Sequence, residues 1–207
     1  MNFIRNILAL IGLVAIVGGA FAYTKFAPMM SQMGGMDIAA EKAALDSFDP
    51  KAKDIYLDMW KKLKETGNSA DATVVKYTLD EGVTPEDAEE AMKSVANKHN
   101  IKAVGELPLS EQVKLETGQD QRFLKIYQFC NPQTAMKMVD FSDAFSAYLP
   151  CRIAMIQDKA GKYHLYSLNM DMMIYGGKPL PPELHAEATK VQEIMTDIMK
   201  SGAAGDF

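Results

Sequence analysis

Proline marks the start of four helices in this chain, and those marks limit every fold it can adopt. A proline ring is tolerated in the first helical turn but breaks a helix interior. Asp49-Pro50 sets an N-capping side chain directly before a proline. Thr84-Pro85-Glu86-Asp87 is a capping box on a proline start, in which Thr84 caps and Asp87 takes the reciprocal position. Asn131-Pro132 has the same form, and PLPPEL at 179–184 opens the last helix.

Apolar spacing fills in the elements. Ile55, Met59 and Leu63 recur every four residues beside Tyr56 and Trp60, which predicts an amphipathic helix within 49–68, closed by Gly67. The helix after Thr84 carries Ala88, Met92, Val95 and His99 along one face, with His99 read as a C-terminal cap rather than a ligand. A helix from Pro132 to Tyr148 carries Met138, Phe141, Phe145 and Tyr148, and the last one carries Leu184, Ala188, Val191, Met195 and Ile198. Strands are expected over 72–79, 101–108, 122–129, 151–157 and 163–169. DKAG at 158–161 joins the final two as a hairpin turn, with glycine where positive φ is needed. The order is β-α-β-β-α-β-β-α over 70–202, an α+β fold read as a two-layer sandwich, with 203–207 as a tail.

Upstream, residues 7–23 read ILALIGLVAIVGGAFAY without a charge. At about 1.5 Å per residue this run nearly crosses a hydrocarbon core, and Tyr23 and Phe26 suit an interface. Arg5 precedes it and Lys25 follows, so the rest of the chain is expected on the outer side of an inner membrane, facing the periplasm. Residues 1–26 are thus a transmembrane anchor, or a signal peptide cleaved at Ala20-Phe21-Ala22 that releases the domain into the periplasm. Residues 27–48 read as a methionine-rich linker in which Met30, Met33 and Met36 fall three apart. That run can hold Cu(I) or lie on the membrane surface.

The net charge of −5 and the lack of a basic patch exclude a nucleic-acid partner. The strand RFLKIYQFC sets Leu124, Ile126 and Cys130 on one face and Phe123, Tyr127 and Phe129 on the other, so both faces of the sheet are partly apolar. The face not taken by helices is expected to pack against the N-terminal helix or a second copy, giving a homodimer.

The motifs Cys130-Asn131-Pro132 and Leu149-Pro150-Cys151, with the hairpin and terminal helix that follow, resemble the domain of unknown function 302 family over roughly residues 70–200. The resemblance implies a small α+β domain, often dimeric, and supplies no activity. Pairing of the two motifs implies that their cysteines act together.

Two sites follow from these residues. Cys130 precedes the helix capped by Asn131, where the positive end of the helix dipole favours thiolate; a small buried hydrophobe is the alternative. A continuous helix to Tyr148 makes the flanking strands parallel and sets Cys151 at the opposite end of the sheet, against a disulfide. A break in DFSDAF at 140–145, with Ser142 capping a second short helix, returns the chain and brings Cys151 near. The second site is the loop NMDMMIYGGKP at 169–179, where Met170, Met172 and Met173 either close over Cys130 or pack into the core. Thiolate and thioether ligands select Cu(I), and methionine serves haem iron as an axial ligand.

Three functions fit. The first is a membrane-tethered, exported domain binding a small ligand, copper, haem or a membrane partner. The second is a thiol redox enzyme or sensor using Cys130. The third is a structural accessory subunit of a membrane complex, built on the aromatic sheet face and the 49–68 helix.

Overall fold

A computed structural model describes residues 16–21, 23, 24, 27 and 37–206. The chain divides into two compact units, 1–47 and 48–207.

In the first unit, residues 16–21 are helical, and α1 (Ile38–Asp46) follows. The Asp37 carboxylate caps α1 by accepting hydrogen bonds from the backbone N–H groups of Ala39 and Ala40. The expected linker therefore contains a helix, because the cap precedes an alanine-rich stretch of high helical propensity. Met30, Met33 and Met36, and most of the uncharged run, lie outside the described residues. Among the described residues no helix is long and apolar enough to cross a membrane.

The second unit is a mixed fold with one five-stranded antiparallel sheet. Its elements are α2 (Ala52–Thr66), α3 (Ser69–Thr73), β1 (Val74–Thr78), α4 (Pro85–Lys98), β2 (Lys102–Leu107), α5 (Leu109–Thr117) and β3 (Leu124–Cys130). Next come α6 (Pro132–Phe141), a 3₁₀ turn (Asp143–Tyr148), β4 (Cys151–Gln157), β5 (Tyr163–Leu168), α7 (Asp171–Tyr175) and α8 (Pro182–Ala204). The strands order β1-β5-β4-β3-β2, and each neighbouring pair is antiparallel.

Three of the four proline starts fall in the first helical turn, at Pro85, Pro132 and Pro182. Thr84 accepts from the Asp87 N–H while the Asp87 carboxylate accepts from the Thr84 N–H, both at 3.1 Å. Asn131 accepts from the N–H groups of Gln133 and Thr134. The Asp49-Pro50 start is corrected: α2 begins at Ala52 with Lys51 as its N-cap and no side-chain cap. The Asp49 carboxylate accepts from the Lys51 N–H in the turn that precedes the helix, while Gly67 closes α2 at φ 67°. Gly161 takes φ 85° in the β4–β5 turn.

Alternation along the strands fixes the core. Tyr127, Phe129, Ile153, Met155 and Leu165 are buried on one face, packed by Met92 and Val95 of α4 and by Met195, Ile198 and Met199 of α8. Where α8 crosses α4, a Cβ on Gly202 would sit 2.5 Å from Met92 Cγ, so only glycine permits the approach. Leu107 and Leu168, on the opposite face, are exposed. The expected tail is shorter than read: Ala203 is buried, its carbonyl accepts from the Asp80 N–H, and α8 ends only at the Gly205 cap.

A polar cluster ties α4 to β2 and β3. Glu89 accepts from Tyr127 Oη at 2.7 Å and pairs with Lys93 and Lys125, which both also reach Glu106. Burial alone would raise the Glu89 carboxyl, but the bonds from Lys125, Lys93 and Tyr127 outweigh it and hold the group at about 2. A carboxyl whose pKa is depressed on folding stabilises the fold above its unfolded pKa, and that contribution is lost as the pH falls towards the folded value. The urea midpoint is therefore expected to fall between about pH 5 and pH 2. Glu89→Gln should lower the midpoint at neutral pH and flatten its acid limb; parallel profiles for the two proteins would place the dependence elsewhere.

Candidate functional site

The stretch from β3 to β4 departs from a plain crossover. The helix begun at Pro132 stops at Ser142, whose φ −159° and ψ 124° are extended, and a 3₁₀ turn follows. The continuous 132–148 helix is thus corrected to a helix and a separate turn. Three residues of DFSDAF explain the break: Asp140, Ser142 and Asp143 all bond readily to nearby backbone and disfavour a helix interior. With the chain turned back, β4 runs antiparallel to β3, not parallel, and Phe129 lies opposite Cys151. The two cysteines accordingly stand at the same end of the sheet. Both are free thiols, and the Leu149–Pro150 bond between the turn and β4 is cis.

Beside them α6 and α8 enclose a cavity of about 30 Å³. Cys130, Asn131, Cys151, Met170 and Met173 all line it. Met172 does not, because α7 turns it away from Met170 and Met173. Met138, Thr134 and Ala135 complete the α6 wall. With Asn131 these residues follow the i, i+3, i+4, i+7 spacing of one helix face, a signal the sequence carried. Ile174, Ala188 and Val191 close the far side.

The cavity sits between two hydrophobic clusters. The larger lies under the sheet; the smaller comprises Met138, Ile174, Tyr175, Leu180, Leu184 and Ala188, and Met170 packs against both. Polar contacts latch the rim. Lys137 of α6 pairs with Glu183 and Glu187 of α8, and Thr134 Oγ1 donates to Glu187 at 3.2 Å. The 169–171 loop is held by Gln192 Nε2, which donates to Asp171 at 2.7 Å, and by the Asn169 N–H, which donates to the Thr73 carbonyl.

The electrostatics differ from the helix-dipole expectation. Burial pushes the Cys130 thiol up rather than down. Burial, then the neighbouring Cys130, pushes Cys151 up to about 11. Burial among apolar walls is the leading cause at both, so both thiols are protonated at neutral pH. Among the described residues no group of three or more His, Cys, Asp or Glu could hold a metal ion. The sulfurs of Met138, Met170 and Met173 are the further soft donors here. His164 is committed elsewhere, bonded to Asp158 and Thr78, and His185 stacks edge-on against Tyr175.

A family model described as domain of unknown function DUF302 matches residues 75–202, most of the second unit. The chain belongs to the DUF302 family. A similar solved structure is that of an uncharacterized conserved DUF302 protein from Bacillus stearothermophilus, 16% identical, with a TM-score of 0.49. The alignment covers 62% of this chain and 97% of that one. No curated protein matches. All twelve residues lining the cavity fall inside the DUF302 match, whereas α1, α2 and α3 precede it.

Proposed function

We propose that this DUF302 chain is an exported, membrane-tethered binding domain whose ligand is a soft monovalent metal ion, Cu(I), held in the cavity between β3, α6, α7 and α8. The observation that carries this reading is the convergence of five sulfur-bearing side chains, Cys130, Met138, Cys151, Met170 and Met173, on one small cavity. Thiolate and thioether select Cu(I) over hard cations, and the lining holds no carboxylate or imidazole. Size agrees: about 30 Å³ takes one water-sized atom, and a haem macrocycle does not fit. The uncharged run at 7–23, with Arg5 before it and Lys25 after, supports the tether and the outward-facing domain.

The test is Cu(I) titration of the full chain against a colorimetric chelator under reducing conditions. Met173→Leu should weaken binding by roughly tenfold, about 1.4 kcal/mol, while Met172→Leu, off the cavity, should leave it unchanged. Equal affinity in wild type, Met172→Leu and Met173→Leu would point to the Met30-Met33-Met36 run or to adventitious binding.

A second reading has its own observation. Cys130 and Cys151 line the same small cavity at one end of the sheet, which suits a redox couple. Thiol counting under denaturing conditions after exposure to an oxidant decides it, since two free thiols remaining would end this reading.

A further inference from the structure

Successive residues of an α-helix advance by about 100°. On α2 this sets Trp60, Lys53, Lys64, Leu57 and Lys61, in that order, along one arc about 100° wide. No carboxylate lies within the arc; Asp54, Glu65 and Asp58 follow on the flank beyond Lys61, and Asp58 is paired with Lys62 at 3.0 Å. The opposite side packs inward through buried Ala52 and half-buried Ile55 and Met59. The arc itself is open: Trp60 is 57% exposed and Leu57 54%. Tyr56 borders it, half exposed, with its hydroxyl donating to the Gly176 carbonyl at 2.7 Å. None of Lys53, Lys61 and Lys64 forms an ion pair among the described residues. Between α2 and α3 a shallow, apolar groove of about 200 Å³ opens beside Tyr56, Met59, Trp60 and Leu63.

We propose that this face of α2 docks on an anionic lipid surface, with Leu57 and Trp60 at the headgroup–acyl boundary and Lys53, Lys61 and Lys64 reaching lipid phosphates. Tryptophan and tyrosine favour that boundary, and lysines beside them extend their stems along apolar surface while their ammonium groups stay in the headgroups. Charge complementarity selects the partner. A chain of net charge −5 is repelled by an anionic surface as a whole, so a face with three unpaired lysines and no carboxylate orients the domain towards it. A protein groove would satisfy the apolar residues but leaves the uniform sign of the arc without a purpose. The inference rests on the membrane-tethered reading for the nearness of a bilayer and is independent of the metal site.

Trp60 is the single tryptophan of the chain, so its fluorescence reports this face alone. The full chain is reconstituted with vesicles of phosphatidylcholine, or of phosphatidylcholine with phosphatidylglycerol, each carrying brominated acyl chains. Trp60 emission is expected to shift to the blue and be quenched in the anionic vesicles, with much less quenching in the neutral ones. Each lysine contributes roughly fivefold to the ratio of docked to undocked domain. Lys53→Gln, Lys61→Gln and Lys64→Gln combined should therefore abolish the quenching, as should high salt, with unchanged far-ultraviolet circular dichroism. A chain that floats with vesicles but keeps Trp60 unquenched overturns the docking and leaves the tether standing. A chain that fails to float overturns both. Equal quenching in the two vesicle types, indifferent to the lysines, also overturns the proposal. Protection of Trp60 in native membranes but not in lipid vesicles does so in favour of a protein partner.

Discussion

Cys130→Ser combined with Cys151→Ser is expected to lower Cu(I) affinity at least about 100-fold, more than loss of any one thioether. Serine nearly preserves the volume of each side chain but replaces a soft sulfur with a hard, neutral oxygen that does not ionise at neutral pH. Both cysteines are held protonated by their surroundings, Cys151 up to about 11. A metal ion binding the two as thiolates must therefore displace their protons. Two consequences follow that an ordinary packing role would not produce. Cu(I) titration in weak buffer should release protons, in a proportion approaching two per ion. Apparent affinity should also rise with pH across the neutral range, because protons and metal compete for the same sulfur. The double variant should lose both effects. Retained affinity with retained proton release would exclude these thiols as ligands and remove the cavity as the metal site.

The second large effect is on stability. Phe129→Ala should cost about 3–5 kcal/mol, against a total stability of about 5–15 kcal/mol for a domain of ordinary size. Phe129 is 1% exposed, on the sheet face covered by α4 and α8, so its removal forfeits both the transfer of a ring from water and its close contacts. Ile126→Ala, on the same strand but facing the other way and only half-buried, should cost far less. Urea midpoints of the two variants measure the difference. Phe129 also lies opposite Cys151, so its loss should loosen the wall of the cavity and weaken Cu(I) binding beyond the stability change. Equal losses at the two positions would mean that the sheet is covered on both faces in solution.

Helix starts were legible because their signals are local. The capping box at Thr84, the Asn131 cap and the glycine at 67 each act within one turn of chain, and each appears at its expected place. Strand positions were legible for a related reason, since alternation reports which side chains face inward. α5 was missed because Pro108 opens it without a side-chain cap and no residue of it is buried, so its sequence lacks an apolar stripe. Of Cys130, Asn131, Cys151, Met170, Met172 and Met173, all but Met172 line one cavity, and Met172 stands apart because α7 is a tight turn of helix where a loose loop was expected. Met138 carried a signal in its spacing from Asn131, yet the sequence left it on a general helix stripe.

The local pattern thus determined by itself the five strands and the helix starts at Pro85, Pro132 and Pro182, and that Cys130 precedes a capped helix. Only the tertiary structure decided what that cysteine meets. The reason lies at Ser142. A short-range competition between helix and side-chain bonding breaks the helix there, and the break converts an expected parallel crossover into an antiparallel return. That return brings Cys151 to the end of β3, and α8 covers the junction. The surrounding apolar walls then hold both thiols protonated, whereas the helix dipole alone would have favoured thiolate.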